Sequence, residues 1–374
     1  MEQLQQPQTQ TSSRNYGVDA LRIVSIFMVL ILHVLGLGGI LSNTSYMSPT
    51  FLAAWTLETA AMCAVNCYGL ISGYVGIYGK LKYSNLAGLW LQVFLYSFVG
   101  ALVFWLLDPS CMDVETLILS AFPVIKVRFW YFTAYVGLSV LRPVINRGLL
   151  ALNRRQAKVL CVSIVVLFCV LPSLLNTDSF DMDKGYSLIW LLLLYCLGAC
   201  IRRFDFLSGI KSRWLVLWFV ASVGIAMGVL VVLCTRICPW LSDHYGNTLM
   251  QQYTSPTMLG CALAILLLFT RLQIKRKWLI GLISFFAPAT FGVYILHMQP
   301  QLRGLLFDQS LYAWLGQAFP LVTVGLVLLS AGVLFVVCAL IEKLRQLLFD
   351  TLGVKKRLER LEEKYVGDLW STEN

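Results

Sequence analysis

Long blocks of apolar residues follow one another along most of this chain of 374 residues, and they constrain its fold more than any other feature. The blocks are roughly 17 to 25 residues long, which is the length of α-helix that spans a bilayer core of about 30 Å. They are continuous, whereas barrel strands alternate apolar and polar residues, and open sheet edges cannot be satisfied in lipid. The sequence therefore predicts an all-α, polytopic membrane protein.

The composition agrees with a membrane protein. Hydrophobic residues make up 58% of the chain, charged residues only 13%, and the mean hydropathy is +0.75. A soluble domain needs more charge to cover its surface. The net charge of +10 does not indicate a nucleic-acid partner, because the basic residues lie in short loops between the blocks, where they set topology. The eleven cysteines lie mostly inside the blocks, so neither a disulfide framework nor a metal site is predicted.

The blocks predict about ten transmembrane helices. They lie at residues 17–40, 52–76, 84–107, 129–147, 158–175, 187–201, 213–234, 255–271, 283–300 and 318–341. Residues 114–127 are too short to span the bilayer and contain Pro123, so they predict a re-entrant or interfacial helix. The chain then divides into a polar tail (1–15), a transmembrane domain (16–345) and an amphipathic tail helix (346–374).

Lysine and arginine residues are distributed unequally between alternate loops. Twenty-three lie on the side that includes both tails, five lie on the other side, and Arg22 lies within the first block. The positive-inside rule therefore predicts that both termini are cytoplasmic. The C-terminal tail carries a leucine stripe broken near Gly353, which favours binding to the inner leaflet of the lipid bilayer. The alternative is a self-associating helix that makes a homodimer.

Ionisable residues inside the first predicted span are candidates for function, because each costs at least about 2.5 kcal/mol near the bilayer centre. Asp19 and Arg22 lie near the cytoplasmic end, where their spacing also permits a salt bridge. His33 lies eleven positions after Arg22, which places both on nearly the same helix face, about 16 Å apart. Arginine suits phosphate recognition and neutral histidine suits proton abstraction, although a histidine can also simply bond a backbone carbonyl.

The second predicted span adds Glu58, Asn66, Ser72 and Gly73. Glu58 can orient an imidazole, hold an acceptor hydroxyl or form a solvated helix end, and these alternatives remain open. Asn66 lies deep enough in the span to need a partner. Ser72 and Gly73 favour close packing between helices.

Three further groups of residues are candidates for binding. Lys80 and Lys82, in the next cytoplasmic loop, are either topology signals or contacts for phosphates. The residue types at the outer start of the fourth span form an aromatic belt and also bind sugars by stacking and hydrogen bonding. These residues are Arg128, Trp130, Tyr131 and Tyr135. His297, near the outer end of the ninth span, is expected to be structural or exposed to water, with substrate binding as the alternative.

Four segments, in this order, resemble the acyltransferase-3 family of integral membrane O-acyltransferases. They are VDALRIVSIFMVLILHV, YGLISGYVG, FWYFTAYVGLSVLRPVI and TFGVYILHMQP. The resemblance covers roughly residues 15–345. It implies transfer of an acyl group, usually acetyl, from cytosolic acetyl-CoA or another acyl-CoA to a hydroxyl of an extracytoplasmic glycan or lipid-linked saccharide. It also implies a bacterial cytoplasmic (inner) membrane.

The resemblance also implies roles for individual residues. His33 would be the catalytic base, or a transient acyl carrier, and Arg22 would position the donor. Asn66 is a candidate donor to the oxyanion that forms when the acceptor attacks the thioester. Lys80 and Lys82 stand where relatives often carry arginines.

The chain departs from the family pattern at Arg128, a position that is often histidine in relatives. The main alternative function is a transporter or flippase for a glycan or small molecule, which would use the same polar path without consuming acyl-CoA. A binding protein that has lost catalysis is the third alternative.

Overall fold

The computed structural model describes residues 14–124, 129–178, 180–235, 239–246 and 248–367, and the regular elements within these ranges are helices. In chain order they are α1 (Tyr16–Gly36), α2 (Pro49–Ala61), α3 (Ala64–Gly76), α4 (Tyr83–Phe94), α5 (Gly100–Leu107), α6 (Val114–Leu119), α7 (Trp130–Ala151), α8 (Arg154–Val165), α9 (Leu171–Leu175), α10 (Leu188–Phe204), α11 (Ser212–Thr235), α12 (Pro239–Tyr245), α13 (Pro256–Thr270), α14 (Lys277–Phe286), α15 (Thr290–His297), α16 (Pro300–Leu306), α17 (Gln309–Tyr312), α18 (Pro320–Thr351) and α19 (Val354–Tyr365).

The predicted all-α, polytopic membrane protein is confirmed. Within the part of the chain that the structure describes, seven helical runs are long and apolar enough to cross a membrane. They are Tyr16–Asn43, Tyr83–Leu107, Arg154–Leu175, Ser212–Thr235, Ser242–Thr270, Lys277–His297 and Pro320–Thr351. The other three predicted spans form the pair α2 and α3, the helix α7 and the helix α10. Ten spans and the cytoplasmic location of the termini stay predictions.

Several of the apolar blocks are not single α-helices. The predicted span 52–76 is broken into α2 and α3 by a turn at Met62 and Cys63, which keep right-handed helical backbone angles. Wider π-helical turns at Leu95–Val99 and Val166–Val170 join α4 to α5 and α8 to α9. Of the helix predicted over 114–127, the structure has a helix at Val114–Leu119 and no helix at 120–124, and residues 125–127 lie outside the described residues. Such interruptions re-aim the side chains that follow them.

α1 is the central helix of the bundle. It packs against α2, α3, α13, α14, α15 and α18, and 67% of its most apolar stretch is buried, compared with 22% for α11. Its first turn is capped by Asn15, whose side chain accepts hydrogen bonds from the backbone N–H groups of Gly17 and Val18. Because α1 is surrounded, its ionisable side chains face protein instead of lipid.

α3 and α10 cross at unusually short range. A Cβ atom on Gly73 would lie 1.9 Å from the carbonyl oxygen of Tyr195, and one on Gly198 would lie 2.1 Å from the carbonyl oxygen of Leu70. Only glycine fits at either position, which is how small residues let membrane helices approach closely. The crossing fixes α3 against α10, and α3 forms one wall of the site described below.

The C-terminal tail folds back onto the bundle. α18 continues beyond residue 345 to Thr351, and Gly353, with a φ of +63°, turns the chain into α19. α19 packs on α4, where the Glu362 carboxylate accepts hydrogen bonds from the backbone N–H of Tyr83 (2.5 Å) and from the backbone N–H (3.2 Å) and hydroxyl (2.5 Å) of Ser84. Burial alone would raise the pKa of Glu362, but these hydrogen bonds lower it overall. The tail therefore caps the first turn of α4.

Candidate active site

A cavity of about 320 Å³ runs beside α1 through the helix bundle. Arg22 lines one end and His33 lines the other, and eleven residues of helix, about 16 Å, separate them. The end at Arg22 faces the side predicted to be cytoplasmic, and we call it the inner end; the end at His33 is the outer end. The side walls come mainly from α3, α7 and α15.

His33 and His297 form a hydrogen-bonded pair at the outer end. The Nδ1 atom of His33 lies 2.9 Å from Nε2 of His297, whose own Nδ1 lies 2.6 Å from the carbonyl oxygen of Val293. A carbonyl oxygen only accepts, so Nδ1 of a neutral His297 carries the proton and its Nε2 accepts from His33. His33 is then protonated at Nδ1, and its Nε2 keeps a free lone pair. A general base needs such a nitrogen.

His297 was expected to be structural or exposed to water, and the structure buries it completely. It ends α15, and the Phe307 ring packs edge-to-face with both imidazoles, with its centroid 6.0 Å from that of His33 and 6.2 Å from that of His297. Its two nitrogens are occupied by Val293 and His33. Its position therefore holds the His33 ring in one orientation and one tautomer.

Charged groups surround Arg22 at the inner end. The Asp19 carboxylate accepts hydrogen bonds from Arg22 at 2.5 Å and from Arg14 at 2.6 Å. Asp19 is 5% exposed, whereas the Arg22 side chain is 32% exposed. The bond to Asp19 uses one of the five N–H donors of the Arg22 guanidinium. Asp19 thus orients a cation that still lines the cavity.

Arg142, one of the twenty-three basic residues counted above only as topology signals, contributes a second guanidinium to the cavity lining. It donates to the backbone carbonyl of Lys80 at 2.9 Å, and its Nε is shielded from solvent with no partner among the described residues. Arg142 follows Tyr135 by seven residues and Ser139 by three, which places all three on one face of α7. This spacing is the signal in the sequence that could have identified Arg142. Because buried donors are normally satisfied, this Nε is suited to an anionic ligand.

The walls between the two ends are mainly aromatic. Tyr131 stacks on Tyr135, with centroids 6.4 Å apart, and meets Tyr68 and Tyr294 at 6.0 Å each. Trp130 lines the same cavity toward the outer end. Of the predicted substrate-binding residues, Trp130, Tyr131 and Tyr135 therefore lie in the cavity. Their rings offer apolar faces along its length.

Of three further predicted site residues, one lines the cavity and two lie elsewhere. Asn66 is buried, donates to the carbonyl oxygen of Tyr253 at 2.8 Å and accepts from the indole N–H of Trp190 at 2.9 Å, so it ties α3 to the chain before α13. Ser72 lines the cavity, and its hydroxyl donates to the carbonyl oxygen of Tyr68. In the described part of the chain, no hydrogen bond joins Glu58 to His33; Glu58 lines a separate cavity.

Lys80 and Lys82 lie outside the lining of the cavity. Lys80 is connected to its inner end through Arg142, and Lys82 lies at the start of α4, near Glu362. Arg128 falls outside the described residues.

Comparisons with known proteins identify a family. Residues 15–343 match the family model Acyl_transf_3, described as an acyltransferase domain. The match spans both ends of the cavity and confirms the resemblance found in the sequence. No match was found among curated proteins or among solved structures.

Proposed function

Because the chain belongs to the acyltransferase-3 family of membrane acyltransferases, we propose that it transfers an acetyl group from cytosolic acetyl-CoA to a hydroxyl of an extracytoplasmic glycan or lipid-linked saccharide. The observation that carries the proposal is the cavity, which joins guanidinium groups at one end to a histidine with a free Nε2 at the other. Acetyl-CoA carries phosphates at one end and a thioester at the other. The two ends of the cavity suit the two ends of this donor.

His33 acts as the general base in the proposed reaction. Its Nε2 accepts the proton of the acceptor hydroxyl as the oxygen attacks the thioester carbonyl carbon. The carbon–sulfur bond then breaks, and the proton passes from His33 to the departing CoA sulfur. An ester on the acceptor and free CoA thiol result. His297 accepts from Nδ1 of His33 throughout, and so keeps Nε2 aimed at the cavity.

Arg22 and Arg142 bind the donor phosphates at the inner end. Guanidinium groups form paired hydrogen bonds with phosphate oxygens, and the shielded Nε of Arg142 supplies a donor for them. Lys80 and Lys82 add positive charge beside the inner end of the cavity. The aromatic walls at Trp130, Tyr131 and Tyr135 accommodate the apolar parts of the donor arm.

Release of CoA thiol from acetyl-CoA tests the proposal. The protein is purified in lipid nanodiscs and compared with His33→Ala, which is expected to lower the rate by at least about 100-fold because general-base catalysis is lost. His244→Ala is the matched control, since the exposed His244 ring stacks on Trp240 on α12. Full activity in His33→Ala overturns the proposal.

The same assay separates an enzyme from a transporter. A glycan transporter or flippase would move its substrate unchanged and leave acetyl-CoA intact. Acetyl-CoA that stays intact, together with movement of unmodified glycan, would therefore identify a transporter. Mass spectrometry of the glycan distinguishes the two, because acetylation adds a mass that transport does not.

A further inference from the structure

A second cavity, of about 210 Å³, adjoins the first. Tyr186 and Tyr253 line both cavities, so these two rings form part of a shared wall. Their centroids lie 4.9 Å apart, and Trp130 contacts Tyr186 at 4.8 Å. A ligand in the second cavity would therefore lie beside the first cavity, next to these two rings.

Buried polar atoms without partners converge on this second cavity. Five side-chain atoms in the described ranges are shielded from solvent and lack a hydrogen-bond partner, and three of them belong to residues that line it. They are Oε2 of Glu58, Oε1 of Gln251 and Nε1 of Trp55. Buried polar groups are normally hydrogen-bonded, so a cluster of unsatisfied ones indicates a ligand.

Neighbouring contacts hold these groups in place. The Gln251 amide donates to the hydroxyl of Thr59 at 2.5 Å, which leaves its Oε1 as a fixed acceptor. Asn66 holds the carbonyl of Tyr253 and thereby the chain segment that carries Gln251. Thr59 and Asn66 thus hold the wall of the second cavity in place whether or not a ligand is bound.

The chemistry of the lining selects a polyhydroxylated ligand. Glu58 and Gln251 offer acceptors and Trp55 offers a donor, and a hydroxyl group can satisfy either kind of partner. The rings of Trp55, Tyr186 and Tyr253 supply apolar faces of the kind that pack on the C–H face of a sugar. A lipid acyl chain would leave all three polar atoms unsatisfied.

We propose that this second cavity binds a sugar ring of the acceptor, with Trp55 as the stacking residue and Glu58 and Gln251 as hydroxyl ligands. The inference rests on the proposed function and extends it, because it places the acceptor's recognition apart from the reacting histidine. Glu58 is then a binding residue for the acceptor. The hydroxyl to be acylated passes beside Tyr186 and Tyr253 into the first cavity.

Saturation-transfer NMR of glycosides with the full chain in nanodiscs tests this assignment. The probes are methyl β-D-glucoside, methyl β-D-galactoside and methyl N-acetyl-β-D-glucosaminide. We expect at least one to bind the wild type, and Trp55→Ala and the isosteric Glu58→Gln to weaken its binding at least five-fold. Trp240→Ala, which removes a tryptophan 68% exposed on α12, should bind like the wild type.

Folding and the proposed function are judged separately. Matching gel-filtration profiles and thermal midpoints establish that each variant is folded. If Trp55→Ala is not folded, Glu58→Gln, which keeps the size of the side chain, decides whether the second cavity binds a sugar. Because NMR binding needs neither acetyl-CoA nor His33, it is independent of thiol release. Absence of binding by every glycoside, or equal binding by wild type and Glu58→Gln, would overturn the inference and leave a cavity filled by water.

Discussion

The two ends of the cavity use opposite kinds of chemistry. At the inner end, Arg22 and Arg142 are charged and partly exposed, and Asp19 orients one of them. At the outer end, His33 and His297 bond to each other, and His297 bonds to the carbonyl oxygen of Val293, a pattern that two neutral imidazoles satisfy. Burying a charge is costly unless it is paired, so the cations lie where water and Asp19 can reach them. In the proposed mechanism, donor binding and proton transfer are thus divided between two environments.

A single helix supplies one principal group to each end. Arg22 and His33 share a face of α1, so the groups proposed for donor binding and proton transfer have a fixed separation set by helix geometry. The other members, Arg142 and His297, come from α7 and α15. If this division holds, substitutions at the outer end lower kcat and substitutions at the inner end raise KM for acetyl-CoA.

The largest expected effect, after loss of His33 itself, comes from its partner. His297→Ala should lower kcat about 100-fold with little change in KM for acetyl-CoA, because His33 loses the acceptor that fixes its tautomer. Steady-state thiol release measures both constants, with His244→Ala as the control. A raised KM for acetyl-CoA with unchanged kcat would instead identify His297 as a donor-binding residue. It would contradict the assignment of proton transfer to the outer end and donor binding to the inner end.

At the inner end, Arg142→Ala should raise KM for acetyl-CoA at least about 10-fold and leave kcat nearly unchanged, since a hydrogen bond to a charged group is lost. Arg155→Ala, at an exposed arginine on α8, is the matched control. Arg142→Lys should recover only part of the affinity, because a point charge replaces a planar fork. A fall in kcat alone would count against phosphate binding by Arg142.

A smaller effect is expected where the tail caps α4 beside the inner end. Glu362→Gln should weaken the cap by about 1 kcal/mol, so the amides of Tyr83 and Ser84 should exchange hydrogen about five-fold faster. Glu363→Gln, on the exposed side of the same helix, should not change their exchange. Unchanged exchange in Glu362→Gln would mean that the carboxylate charge does not hold the tail.

Lowering the pH should speed hydrogen exchange at the amides of Tyr83 and Ser84, as Glu362→Gln does. Because the pKa of Glu362 is lowered in the folded protein, its contribution is present above the pKa of the unfolded chain and is lost as pH falls through the lowered value. Exchange measured at several pH values, after correction for intrinsic rates, detects the change. Glu363→Gln provides the baseline.

The smallest effect is that of salt. Raising ionic strength from about 0.05 M to about 0.5 M should raise KM for acetyl-CoA about two-fold, because screening weakens attraction between the inner-end cations and phosphates. KM for a neutral saccharide acceptor at the outer end should not change. Equal sensitivity of both constants would show that the two ends are not electrostatically distinct.

The sequence predicts features that depend on local periodicity. The apolar blocks give the positions of the long helices, and helical geometry alone brings Arg22 and His33 to one face. Positive φ at Gly353 matches the break predicted in the tail. Each of these follows from spacing within one segment.

Features that depend on contacts between distant segments are not predictable in this way. His297 lies 264 residues from His33, and a spacing rule within one helix cannot pair them. The break between α2 and α3 occurs at Met62 and Cys63, where neither glycine nor proline marks it. The second cavity forms because the segment around Gln251 is held against α2 and α3. This segment carries no sequence motif that would predict the contact.

The aromatic walls have a consequence for the electrical insulation of the membrane. A cavity that reaches from Arg22 to His33 is a route by which protons and small ions can leak and dissipate a transmembrane potential. Between the two ends, Tyr131 contacts both Tyr68 and Tyr294, and the three phenol rings are uncharged. A neutral ring cluster raises the electrostatic cost of passing a bare ion while leaving a surface along which an uncharged thioester can slide. The same three tyrosines that line the proposed substrate path would thereby also block the passage of ions.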